Sequence, residues 1–83
     1  MTRVALITGV AGGIGRATAK LLLTEGWQVI GIDVATMDEF PNDAESWEFD
    51  IARPESIDAI AQRLERQVGR LDALVNNAAV QVS

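Results

Sequence analysis

Two apolar spacings alternate along this chain, one suited to buried strands and one to helices. Val4-Ala5-Leu6-Ile7 is a continuous apolar run, the pattern of a strand whose sheet is covered on both faces, and it predicts a strand over 3–8. From Ile14 the spacing becomes helical. Ile14, Ala17, Leu21 and Leu22 share one face, with Arg16, Lys20 and Glu25 outside it, which predicts a helix over 14–25 capped by Gly26. Gln28-Val29-Ile30-Gly31-Ile32 is a second short run rich in β-branched residues, ending at Asp33. Strand, helix and strand in that order predict a right-handed crossover unit.

Residues 35–46 have no clear period and read as a loop with at most one helical turn. The acidic positions from Asp38 to Glu48 read as solvated surface. Trp47-Glu48-Phe49-Asp50 alternates aromatic and acidic residues and predicts a third strand. Pro54 suits the first position of a second helix, although Arg53 is a poor N-cap. Along that helix Ile57, Ile60, Ala61, Leu64 and Val68 fall on one face, and Gly69 ends it. Asp72-Ala73-Leu74-Val75 predicts a fourth strand running into Asn76-Asn77-Ala78-Ala79. With no repeat or linker, residues 1–83 are expected to form a single α/β unit.

Four polar or glycine-rich stretches then fall at the carboxyl ends of the four strands, the edge where open α/β sheets bind ligands. The first is Thr8-Gly9-Val10-Ala11-Gly12-Gly13-Ile14-Gly15. Glycines at a strand-to-helix turn permit positive φ, let a pyrophosphate approach the backbone, and allow close helix–strand packing. The helix start adds unpaired N–H groups and the positive end of its dipole. The others are Asp33, 18 positions after Gly15, where an acid can accept both hydroxyls of a ribose; Asp50-Ile51; and Asn76 to Ala79. Each has a plainer reading beside it. The glycine turn could serve packing alone, Asp50 could cap the loop before Pro54, and Asn76 and Asn77 could be turn formers. Trp27, Trp47 and Phe49 read as core or edge packing.

Composition narrows the chemistry. The chain has 83 residues, 48% hydrophobic, with net charge −5 and no basic cluster, which argues against nucleic acid or an anionic membrane as partner. No apolar run is long enough to span a bilayer, and Met1-Thr2-Arg3 leads straight into the first strand, so a cytoplasmic location is expected. There is no Cys, His or Tyr.

Together these motifs resemble the short-chain dehydrogenase/reductase family. Its Thr-Gly-x-x-x-Gly-x-Gly pattern stands here as Thr8, Gly9, Gly13 and Gly15; its acid after strand two as Asp33; its Asp-hydrophobic pair as Asp50-Ile51. Its Asn-Asn-Ala-Gly signature stands as Asn76-Asn77-Ala78, with Ala79 in place of glycine. The resemblance implies a Rossmann-like parallel sheet of strand order 3-2-1-4, here ending after the fourth strand. It further implies NAD as cofactor, held by Gly9, Gly13, Ile14, Gly15, Asp33, Val34, Asp50, Ile51, Asn77, Ala78 and Ala79. NADP users in this family tend to place a base at the positions that here hold Gly12 and Val34. Asp33 would also repel a 2′-phosphate, by on the order of 1 kcal/mol at ~4 Å even in water. Arg16 is expected to face outward.

The family's catalytic Ser and Tyr-x-x-x-Lys pair have no counterpart here. Without a phenol to move a proton to or from the substrate oxygen, this polypeptide alone is expected to bind nucleotide but not oxidise an alcohol. An open edge at strand four further suggests a homo-oligomer formed through that edge. The alternatives are a non-catalytic nucleotide-binding or self-associating module, and a piece completed by a separate chain.

Overall fold

The computed structural model describes residues 2–9, 13–33 and 44–76. Its elements in chain order are β1 (Val4–Thr8), α1 (Gly13–Thr24), β2 (Gln28–Asp33), β3 (Glu45–Glu48), α2 (Pro54–Gln67) and β4 (Ala73–Asn76). The strands form one sheet of order β3-β2-β1-β4, parallel throughout. This is the α/β architecture and strand order expected from the motifs.

Side chains alternate across β1 and β2 and build two separate cores. Val4, Leu6, Ile30, Ile32 and Trp47 meet Ile60 of α2 on one face, with Phe49, Ile51, Leu64 and Val68 packed around them. Ile7 and Val29 meet Ala19 of α1 on the other, beside Leu22, Leu23, Trp27 and Val75. Every residue of β1 is buried, which accounts for its unbroken apolar run. Trp47 is 1% exposed; its indole Nε1 donates to Glu45 Oε2 at 2.7 Å, and the Arg63 guanidinium of α2 lies 4.2 Å from its ring centroid. That contact joins α2 to β3.

Both helix ends are legible in the glycines. Gly26 has φ +86°, its N–H donates to the Leu23 carbonyl, and Trp27 N–H donates to the Leu22 carbonyl, a Schellman closure of α1. Gly69, at φ +78°, ends α2 by donating to the Leu64 carbonyl. Pro54 opens α2, and Arg53 makes no side-chain cap.

The bounds of the third strand and the covered faces of the two helices differ from expectation. The third strand is Glu45–Glu48, two residues earlier than 47–50, because Glu45 to Glu48 pair with Ile30 to Asp33 and β2 ends there. Glu45 and Ser46 therefore belong to a strand and not to the loop, while residues 34–43 lie outside the described residues. The acidic positions at 45 and 48 are exposed, as a solvated surface requires, but Trp47 between them is core.

The buried faces of both helices are also rotated from the expected ones. On α1 Gly15 and Ala19 are buried and Ala19 packs on the sheet with Leu22 and Leu23 beside it, while Ile14 is 77% exposed and Ala17 and Leu21 are exposed too. On α2 Ser56 and Ile60 are buried and Leu64 and Val68 pack behind them, whereas Ile57 is 59% exposed and Ala61 is exposed. Each helix has an apolar stripe wider than the part the sheet covers. Counting apolar residues found the stripe but not how much of it the sheet covers.

Candidate functional site

The crest of the sheet at the carboxyl ends of its strands brings the glycine turn and Asp33 together. β1 ends at Thr8, and Gly9 leaves it with φ +71°, a conformation that favours glycine. Its N–H donates to the Ile32 carbonyl at 2.9 Å, so the turn is fastened to the last residues of β2 beside Asp33. α1 then starts at Gly13, one residue before the expected Ile14, with Gly13 and Ile14 exposed and Gly15 buried. The first turn of α1 contains no acid.

Two glycines of this turn differ in their surroundings. Gly15 is buried in the first turn of α1. Gly13 is not needed by the chain's own packing: among the described residues nothing stands within 4 Å of where a Cβ would be. Among the described residues the space in front of it is open.

Asp33 is half-buried at the end of β2, and its carbonyl accepts the Phe49 N–H at 3.1 Å, which ties the segment after β3 to the same crest. Asp50 and Ile51 follow immediately. Asp50 Oδ1 accepts the Ala52 N–H at 3.0 Å and its carbonyl accepts the Arg53 N–H at 3.0 Å, so Asp50 builds the turn that leads into Pro54. The capping role weighed for Asp50 is thus present; the residue is exposed all the same. Ile51 packs against the core on the α2 face.

At the end of β4, Thr8 Oγ1 donates to Asn76 Oδ1 at 2.8 Å, joining the central strand β1 to the edge strand β4 at the crest. Thr8 is buried, and a buried hydroxyl closing an otherwise apolar strand needs a partner. That requirement was a usable signal for pairing it with the asparagine of the fourth stretch. Val34, Asn77, Ala78 and Ala79, named as cofactor-binding, lie outside the described residues. Arg16, expected to face outward, is half-buried.

Below the crest on the α2 face runs an apolar trough of about 530 Å³, walled by Leu6, Ile57, Ile60 and Leu74, with Thr8, Asp50 and Asn76 at its polar end. Leu74 is 62% exposed within it. Sequence reading placed Ile57 on the covered face of the second helix and so missed its place in this trough. Among the described residues no His, Cys, Asp or Glu cluster could hold a metal, and no helix is long and apolar enough to cross a membrane.

A parallel sheet of order 3-2-1-4 with helices on both faces defines a Rossmann-like fold. Comparison with known proteins makes the class specific. Residues 3–83 match the short chain dehydrogenase family model, and the chain belongs to that family, as its amino-terminal portion. It is 36% identical over 84 residues to the 3-oxoacyl acyl-carrier-protein reductase FabG of Vibrio cholerae, covering 94% of this chain and 34% of the relative. It is 34% identical over 87 residues to the 2,3-dihydro-2,3-dihydroxybenzoate dehydrogenase of Bacillus subtilis, covering 94% and 33%. Among solved structures it resembles a short chain dehydrogenase of Leptospira borgpetersenii with bound NAD+, at TM-score 0.86 and 30% identity over 99% of this chain and 33% of that one. The ligand-free aldohexose dehydrogenase of Thermoplasma acidophilum matches at TM-score 0.86 and 30% identity, over 98% and 31%. The chain therefore spans about a third of the length of these relatives.

Proposed function

We propose that the chain binds the adenosine diphosphate half of NAD. Main-chain amides around Gly13, Ile14 and Gly15 hold the pyrophosphate, and Asp33 accepts the ribose hydroxyls. The observation that carries this reading is the Gly9 N–H bond to the Ile32 carbonyl, which sets the start of the phosphate turn against the end of the strand bearing the ribose acid. The open space before Gly13 and the lack of an acid in the first turn of α1 support it. Asp50, Ile51, Val34, Asn77, Ala78 and Ala79 complete the adenosine side in this reading.

NAD is favoured over NADP by the carboxylate of Asp33 and by the absence of a base at Gly12 and Val34. When bound, NAD supplies the hydride acceptor for oxidation of an alcohol or reduction of a ketone. This sequence contains no Tyr, so the phenol that would move the accompanying proton has to come from another polypeptide segment. The proposed unit is cytoplasmic and associates with a second copy through the outer edge of β4, which among the described residues pairs only with β1.

A second reading is favoured by one observation, the exposure of Leu74 and Ile57 in the apolar trough beside that edge. In it, a longer polypeptide or a separate chain supplies a helix over the trough and a strand beside β4. Calorimetric titration of the chain with NAD, AMP and NADP tests the first reading. NAD and AMP should bind and NADP should bind at least tenfold more weakly, a difference of about 1.4 kcal/mol. Equal affinity for NADP, or no heat with any of the three, contradicts it.

A further inference from the structure

Each helix leaves an apolar stripe uncovered, and the two stripes are edged with opposite charge. On α1, Ile14, Ala17 and Leu21 fall at i, i+3 and i+7 on the solvent side, with Ile14 77% and Leu21 60% exposed. Arg16 and Lys20 stand along one edge of that stripe, where a cleft of about 530 Å³ opens between Gly13, Arg16, Ala17 and Lys20. No acid lies between Gly13 and Thr24. On α2, Ile57 and Ala61 are exposed at i and i+4 beside the apolar trough. Asp58 and Glu65 line the solvent edge of that pair, and Asp50 closes the trough at its crest end. The bases of α2 lie on its other side, Arg63 over the Trp47 ring and Arg66 one turn on. Even with Arg53 just before the helix, the rim of the trough is acidic.

We propose that α1 of one copy of this chain docks in the trough of a second copy, Ala17 and Leu21 against Ile57 and Leu74, with Lys20 and Arg16 facing Asp58 and Glu65. The contact covers the two most exposed apolar side chains of the trough, Leu74 at 62% and Ile57 at 59%. α1 and α2 cover opposite faces of the sheet, so the two stripes cannot meet within one copy. For the same reason two copies cannot make both contacts with each other. Each copy offers one α1 stripe and one trough, and association therefore runs head to tail. Charge selects this arrangement over a symmetric one. A basic stripe meets an acidic rim, whereas α1 against α1, or trough against trough, would set like charges together. The proposal rests on the second reading above, to which it gives a particular helix, and not on nucleotide binding.

Sedimentation equilibrium of the 83-residue chain without nucleotide tests the docking. The average mass should climb with concentration beyond that of two chains, and added salt should weaken the association. Leu21→Glu and Leu74→Glu, one on each side of the contact, should each lower the association constant at least tenfold. Lys20→Glu and Asp58→Lys should each lower it severalfold, and an equimolar mixture of the two should recover it. In the mixture the altered helix of one variant meets the altered rim of the other, and the remaining contact is wild type. A monomer at every concentration, a mass that levels off at two chains, or no recovery in the mixture overturns the proposal. Association weakened by Leu74→Glu but not by Leu21→Glu overturns it too, while leaving the second reading in place with a different chain over the trough. Should Leu74→Glu fail to fold, the mixture decides, since Lys20 and Asp58 are both on exposed helix surface.

Discussion

α1 and α2 both set out from the carboxyl edge of the same sheet, yet their first turns are chemically opposite. α2 opens on Pro54, which has no N–H to leave unpaired, and carries Glu55 where the dipole of the helix is positive. α1 opens on Gly13-Ile14-Gly15, with no acid in its first turn. Two glycines in a helix each cost about 0.5–1 kcal/mol relative to alanine. Gly15 is buried, whereas Gly13 is exposed with nothing among the described residues within 4 Å of where a Cβ would be. One helix start is completed by its own residues; the other carries neither a proline nor an acid in its first turn. Packing differs in the same way: α1 is drawn close to β1 and β2 over Ala19, whereas α2 stands off on Trp47 and Ile60 and leaves the trough beside Leu74.

The largest effect expected is on the α2 side. Trp47→Ala removes the side chain that α2 and β3 share, and should cost about 3–5 kcal/mol in urea unfolding. On the α1 side, Ile14→Glu gives that helix the acid that α2 already has. Because Ile14 is exposed, the substitution should stabilise the fold by about 0.3–1 kcal/mol through the dipole. The same acid should weaken NAD binding at least tenfold, about 1.4 kcal/mol by calorimetry. A loss of stability instead would show that Ile14 packs after all.

Gly13→Ala should separate the two properties in the same direction, raising stability by about 0.5–1 kcal/mol while lowering NAD affinity. The smallest effect belongs to Glu55→Gln, which should cost about 0.3–1 kcal/mol of stability and leave NAD affinity unchanged. Acid should act at the remote end of β4. The Asp72 carboxyl is held below its unfolded value by the Arg70 hydrogen bond and the Val4 N–H, so its contribution is present above the ordinary aspartate range and is lost as pH falls through the lowered value. The stability advantage of wild type over Asp72→Asn should be constant above that window and shrink as pH falls through it.

How far the sequence could be read follows from which residues act locally. The unbroken run of β1, the Schellman glycine at Gly26 and Pro54 at the first turn of α2 are decided by their own segments, and each lies where its residue type predicts. The strand order was legible only through the family motifs, since no local pattern states which strands neighbour one another. β3 was misplaced by two residues because its bounds are set by where β2 ends. Ile14 and Ile57 were misassigned to the core because periodicity finds an apolar stripe but not how much of it the sheet covers. At the site, Gly9, Gly13 and Gly15 were readable from turn chemistry. The capping bonds of Asp50 and the Thr8–Asn76 bond needed tertiary geometry to be seen.

The most direct test of the account follows backbone amide resonances of the chain as NAD is added. The account predicts progressive shifts at Gly13, Ile14, Gly15 and Asp33, with Glu55 and Ser56 at the start of α2 unmoved. Shifts centred on α2, or no shift at the start of α1 at saturating NAD, would contradict it.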